Sequence, residues 1–89
     1  MVRLFVRHTV ADYVVWRKGY DAFDTQRGPM GVTAHAVFQS VDNPNDVTVS
    51  HDFATAQQAR SFMASDELKK AMQNAGVQGA PTVWLTNMS

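Results

Sequence analysis

Residues 32–53 read Val32-Thr-Ala-His-Ala-Val-Phe-Gln-Ser-Val41, then Asp42-Asn-Pro-Asn-Asp46, then Val47-Thr-Val-Ser-His-Asp-Phe53. Two runs rich in β-branched and aromatic residues flank five residues of turn chemistry. Asn and Asp hydrogen-bond their own backbone, and Pro fixes φ. The stretch therefore predicts an antiparallel hairpin with strands over 32–41 and 47–53. A turn centred on 42–46 pairs residues whose numbers sum to about 87, so that Gln39 faces Thr48, Val37 faces Ser50 and His35 faces Asp52. A one-residue slip would instead pair His35 with His51 or Phe53.

N-terminal to the hairpin, residues 2–9 alternate. Leu4, Val6 and His8 point one way and Arg3, Phe5, Arg7 and Thr9 the other, as in a strand. Asp12 then precedes Tyr13, Trp16, Tyr20 and Phe23, whose spacings of three, four and three place them on one helical face. Val14, Val15 and Gly19 are poor helix formers, Gly19 costing about 1 kcal/mol relative to Ala, so this helix depends on burial. Gly28-Pro29-Met30-Gly31 ends it.

C-terminal to the hairpin, Thr55-Ala-Gln-Gln58 has capping-box spacing, and Ala59, Phe62 and Met63 form an apolar stripe. Ser65-Asp66-Glu67 reads as a second N-cap, which predicts a break or restart. Leu68, Ala71, Met72 and Ala75 continue the face. Gly76 suits a left-handed C′ position, with Val77 packing back on Met72. Pro81 precedes a last strand over 82–86. The order β-α-β-β-α-β predicts one α+β domain over 1–89, a ferredoxin-like sandwich: a four-stranded antiparallel sheet with both helices on one face. The other face, expected to carry Phe5, Val37 and Trp84, is partly apolar. That predicts a homodimer packed sheet to sheet.

Composition narrows the function classes. Eighty-nine residues and 9.9 kDa allow one modest core, and 45% apolar residues are typical of a folded chain. Eight basic residues balance eight acidic ones, which argues against a nucleic-acid or anionic-membrane partner. There is no cysteine, hence no thiolate metal site, disulfide or cysteine nucleophile. Charges interrupt every short apolar run near Met1, so neither a signal peptide nor a membrane span is expected, and a cytoplasmic location is the default.

The chain resembles the dimeric α+β barrel superfamily, in particular its small antibiotic-biosynthesis-monooxygenase-like and polyketide-cyclase-like members. The resemblance covers essentially the whole chain. It rests on Asp12-Tyr13-x-x-Trp16-Arg17 with Tyr20-Asp21, on Gly31-Val32-Thr33-Ala34-His35, and on Asp42-Asn43-Pro44-Asn45-Asp46-Val47. It continues in Asp52-Phe53 and in Ser65-Asp66-Glu67-Leu68-Lys69 running to Ala75-Gly76-Val77. The resemblance implies a ferredoxin-like subunit and a chemistry drawn from cofactor-free oxygenation of quinols or anthrones, polyketide cyclisation or haem degradation. No residue set here matches a haem-degrading site, and the fold alone does not select a reaction.

The sharpest candidate from the residues is the His35–Asp52 pair. A carboxylate beside an imidazole fixes its tautomer and makes a proton acceptor suited to a phenol or an activated carbon. Arg7, expected on the same face, would stabilise the resulting oxyanion. Trp84 and Phe5 from the sheet, with Tyr20 and Trp16 from the helix, would form the aromatic wall for a small apolar or aromatic molecule. His8 and His51 fall under the helices. Because the three histidines point to different faces, no metal site is expected, and no cofactor is implied. Two functions follow: a cofactor-independent monooxygenase or cyclase, with its site between sheet and helices or inside a dimer barrel, or a non-catalytic homodimeric module binding a small apolar ligand or serving a structural role.

Overall fold

The computed structural model describes residues 1–89. Its elements are β1 (Val2–Val10), α1 (Tyr13–Ala22), α2 (Asp24–Arg27), β2 (Ala34–Gln39), β3 (Asp46–Phe53), α3 (Ala56–Ala64), α4 (Asp66–Asn74) and β4 (Val77–Asn87). The strands form one antiparallel sheet in the order β2-β3-β1-β4, the ferredoxin-like arrangement.

Local chemistry sets the boundaries. Asp12 caps α1, its carboxylate accepting from the Val14 and Val15 amides at 2.9 and 3.3 Å. The Thr55 hydroxyl accepts from the Gln58 amide at 3.2 Å and starts α3. Ser65 is extended and separates α3 from α4, its hydroxyl accepting from the Leu68 amide. This is the restart expected at Ser65-Asp66-Glu67. Gly76 is left-handed at φ 84°, as a C′ residue should be. The aromatic stripe of α1 faces the sheet, with Trp16, Tyr20 and Phe23 all buried. Gly19 allows α1 to approach α4, because a Cβ there would lie 2.9 Å from that of Ala75.

β4 is longer than expected and includes Pro81. It is an edge strand, where a missing N–H is tolerated. Its pairing with β1 jumps from Arg7↔Thr82 to Thr9↔Gln78, so Gly79, Ala80 and Pro81 bulge opposite His8.

The hairpin turns one residue away from the expected register. His35 pairs with His51, Val37 with Val49 and Gln39 with Val47, while Asp52 pairs with Ala34. The physical reason is the turn. The Asn43 carbonyl accepts from the Asp46 amide and the Ser40 amide donates to the Asp46 carbonyl, closing the loop around residue 43. The shift turns β2 over: His35 and Val37 lie on the helix-covered face and Phe38 on the open one. Val37 therefore does not join Phe5 and Trp84 on the open face. Arg7, opposite Thr48 and Thr82, lies on the open face and not with His35.

Candidate active site under the helices

On the helix-covered face a cavity of about 50 Å³ lies between the sheet and α1, α3 and α4. Its lining is mostly apolar, including Val6, Val49, Phe62, Met63, Leu68 and Met72. Four polar groups interrupt it: His8, Tyr20, Arg27 and His51. The volume is about a third of the ~150 Å³ that accommodates a benzene. A ring-sized ligand would need the wall to yield, and the unbranched thioethers of Met63 and Met72 are the side chains suited to doing so.

Arg27 is 4% exposed, unusual for a guanidinium. Its Nη2 donates to the Tyr20 carbonyl at 2.7 Å, and its Nε donates to His51 Nε2 at 3.3 Å. The guanidinium carbon stands 3.7 Å from the centroid of the Tyr20 ring, a cation–π contact. Its one carboxylate partner is Asp24, at 3.5 Å from Nη1 on a largely exposed side chain. Burial lowers the Arg27 pKa, opposed by Tyr20 and Asp24. A guanidinium nonetheless stays protonated, so the cavity carries a fixed positive charge.

That charge also fixes the tautomer of His51. Its Nε2 accepts from a group that can only donate, so the ring proton sits on Nδ1. His51 Nδ1 is buried and has no hydrogen-bond partner, and the same is true of His8 Nδ1. Burial, then the neighbouring Arg27, lower the His51 pKa to about 3, and burial lowers that of His8 as well. Both rings are therefore neutral at pH 7 and retain unspent hydrogen-bonding capacity.

His35 does meet a carboxylate, although not the expected one. Its Nε2 lies 3.2 Å from Asp24 Oδ1, and its Nδ1 lies 2.6 Å from the Tyr20 hydroxyl. Asp52 instead holds Arg3 in a two-point contact of 2.7 and 3.0 Å on the open face. The His35–Asp52 dyad is thus absent, because the register places the two residues on opposite faces. Arg7 is likewise engaged elsewhere, bound to Asp46 at 3.0 and 2.6 Å. Phe5 and Trp84 stack on each other at 5.2 Å, also on the open face. Of the expected site residues, Tyr20 and Trp16 line the cavity, His35 stands behind Tyr20, and Asp52, Arg7, Phe5 and Trp84 lie across the sheet.

Asp24 and Arg27 were missed, although the sequence carries a signal for Arg27. The stripe Trp16, Tyr20, Phe23 continues at the next helical spacing to residue 27, placing an arginine where an apolar residue belongs. No three His, Cys, Asp or Glu side chains converge as a metal ligand set. No helix is long and apolar enough to cross a membrane.

Neither a protein-family model nor a curated protein matches the chain. Solved structures do. SnoaB, a cofactor-independent oxygenase from Streptomyces nogalater, superposes with a TM-score of 0.80 at 13% identity, over 99% of this chain and 92% of SnoaB. A structure from Bordetella bronchiseptica, assigned by name to the antibiotic biosynthesis monooxygenases, gives 0.85 at 14% identity over 99% and 96% of the two chains. A further antibiotic biosynthesis monooxygenase gives 0.77 at 12% identity over 100% and 99%. The chain therefore has the ferredoxin-like α+β fold of these antibiotic biosynthesis monooxygenase structures.

Proposed function

We propose that this protein is a cofactor-independent monooxygenase or cyclase, with its site in the cavity between sheet and helices. The observation that carries this reading is the buried Arg27–His51 pair in a mostly apolar cavity. A cation and an orphaned N–H cost stability unless something uses them. Their natural complement is a small aromatic molecule bearing an acidic hydroxyl or an enolisable carbonyl. Removal of its proton creates an oxyanion, which a fixed guanidinium and a neutral imidazole N–H stabilise. The same deprotonation makes the substrate electron-rich enough to react with dioxygen without a cofactor, or nucleophilic enough to cyclise. The resemblance to SnoaB supports the oxygenase arm.

The test is oxygen uptake and product formation with a panel of hydroquinones and anthrones, comparing the wild-type chain with Arg27→Met. Turnover above background that falls by about 100-fold in the variant supports the reading, a loss typical of removing an oxyanion partner. A wild-type chain that consumes no oxygen and converts no member of the panel argues for the alternative, a non-catalytic ligand-binding or structural module. The small volume of the cavity favours that second reading.

The reading includes a homodimer through the open sheet face, where Phe5, Trp84 and Phe38 present apolar surface beside the two self-contained Arg–Asp pairs. Native mass spectrometry tests it directly, and a monomer at micromolar concentration removes it.

A further inference from the structure

Behind the cavity, Asp24, His35 and Tyr20 are joined in series. Asp24 Oδ1 lies 3.2 Å from His35 Nε2, and His35 Nδ1 lies 2.6 Å from the Tyr20 oxygen. Asp24 stands within ion-pair distance of Nε2 and, because a carboxylate only accepts, favours the tautomer with the proton there. Nδ1 is then an acceptor, and the Tyr20 hydroxyl donates to it. Tyr20 is a cavity wall, His35 is exposed and the Asp24 side chain is 64% exposed. The series therefore runs from the cavity towards solvent. It draws on three elements: α1 for Tyr20, α2 for Asp24 and β2 for His35.

We propose that Tyr20, His35 and Asp24 form a proton relay in which the Tyr20 oxygen takes a proton from a ligand in the cavity and passes its own to His35. The inference rests on the cavity being the ligand site. The balance is complete within the chain. The ligand's C–H or O–H bond breaks and a new O–H bond forms on Tyr20. The former hydroxyl proton moves to His35 Nδ1, and the electron pair stays on the ligand as an enolate or phenolate. The imidazolium is held by the Asp24 carboxylate, and the ligand anion by Arg27. Tyr20 never carries a full negative charge, which matters because burial raises its pKa. Asp24 is a positioning residue: it reaches the cavity only through His35, and its Oδ1 also lies 3.5 Å from Arg27.

A purely structural tie between α1, α2 and β2 would use the same bonds, so the test must separate the two roles. The first measurement needs no ligand. Imidazole nitrogen NMR at neutral pH, assigned with His35→Gln, should place the His35 proton on Nε2, and a proton on Nδ1 overturns the relay. The second uses 5-nitrobenzisoxazole, a small aromatic probe whose ring opens to a coloured phenolate when a base removes its carbon-bound proton. Its binding is followed by the indole N–H resonance of Trp16. The relay expects turnover above buffer, loss to background in Tyr20→Phe with binding retained, and about a tenfold lower kcat at unchanged KM in Asp24→Asn. Wild-type rates in both variants overturn the relay while leaving the cavity intact as a binding site. A probe that neither shifts Trp16 nor turns over removes the ligand site itself, and the relay with it.

Discussion

The two faces of the sheet treat polar groups in opposite ways. On the open face each charge is answered: Arg3 by Asp52, and Arg7 by Asp46, both in two-point contacts. The large aromatics there, Phe5 and Trp84, stack on each other. On the covered face, where water is scarce and satisfaction matters most, two histidine nitrogens have no partner, and the hydrogen-bonded Arg27 guanidinium meets its only carboxylate at 3.5 Å. A face optimised for stability alone would be the reverse. Buried polar groups that are only partly satisfied mark the place where the chain serves something other than folding. The comparison therefore supports the proposed site under the helices and the proposed role of the open face as a contact surface.

If the covered face carries both the core and the site, its apolar wall should dominate stability. Phe62, 2% exposed, packs its ring against Phe53 at 5.4 Å and His51 at 5.0 Å. Phe62→Ala should cost about 3–5 kcal/mol in urea unfolding. The same truncation at Phe38, 54% exposed on the open face, should stay within about 0.5 kcal/mol. Equal losses would erase the distinction between the faces.

Acid should sharpen the comparison next. Folded His51 takes its proton only near pH 3, whereas the unfolded residue takes it near 6.5. Between these values the unfolded state binds more protons, so stability falls as pH falls from 6.5 towards 3 and is fully present above that window. From pH 7 to pH 5 the loss from His51 should be about 2 kcal/mol, and His8 adds in the same direction. The open-face carboxylates Asp46 and Asp52, each held low chiefly by its arginine, lose their contribution only around and below the ordinary carboxylate range. Denaturation at the two pH values separates the faces. A flat profile above pH 5, or one unchanged in His51→Leu, would break the assignment of the buried neutral histidine.

The architecture was legible because several independent signals agreed. The stripe on α1, the Asp12, Thr55 and Ser65 caps, the turn at Gly76 and the hairpin loop all pointed to the same βαββαβ order. The site was less legible, and the reason lies in β2. Its two faces read Ala34, Ala36, Phe38, apolar but mostly small, and His35, Val37, Gln39, a mixture of apolar and polar residues. Neither set dominates, so the pattern does not pin the register, and a one-residue change in the turn moves His35 across the sheet. The expected His35–Asp52 pair does not form, and the carboxylate beside His35 is that of Asp24. The partner comes from α2, a four-residue helix too short to have a periodic signature. That partner is a tertiary fact, set by how α1 ends at Phe23 and how the chain turns before Gly31.

The smallest effect concerns the open face itself. Trp84 is 41% exposed and stacked on Phe5, so Trp84→Ser removes one aromatic contact and part of one buried surface. Aromatic pairs contribute about 1 kcal/mol beyond the area they cover. At concentrations low enough to keep the chain monomeric, Trp84→Ser should therefore shift unfolding by about that amount. At high concentration the loss should grow, because a folded dimer draws stability from association and the variant forfeits it. Urea unfolding of both chains across a wide concentration range reads the two contributions separately. A large loss that is independent of concentration would make Trp84 part of the core and the open face a second packed layer. A small, constant loss would leave the fold intact but deny the sheet-to-sheet partner that the stacked aromatics were read to serve.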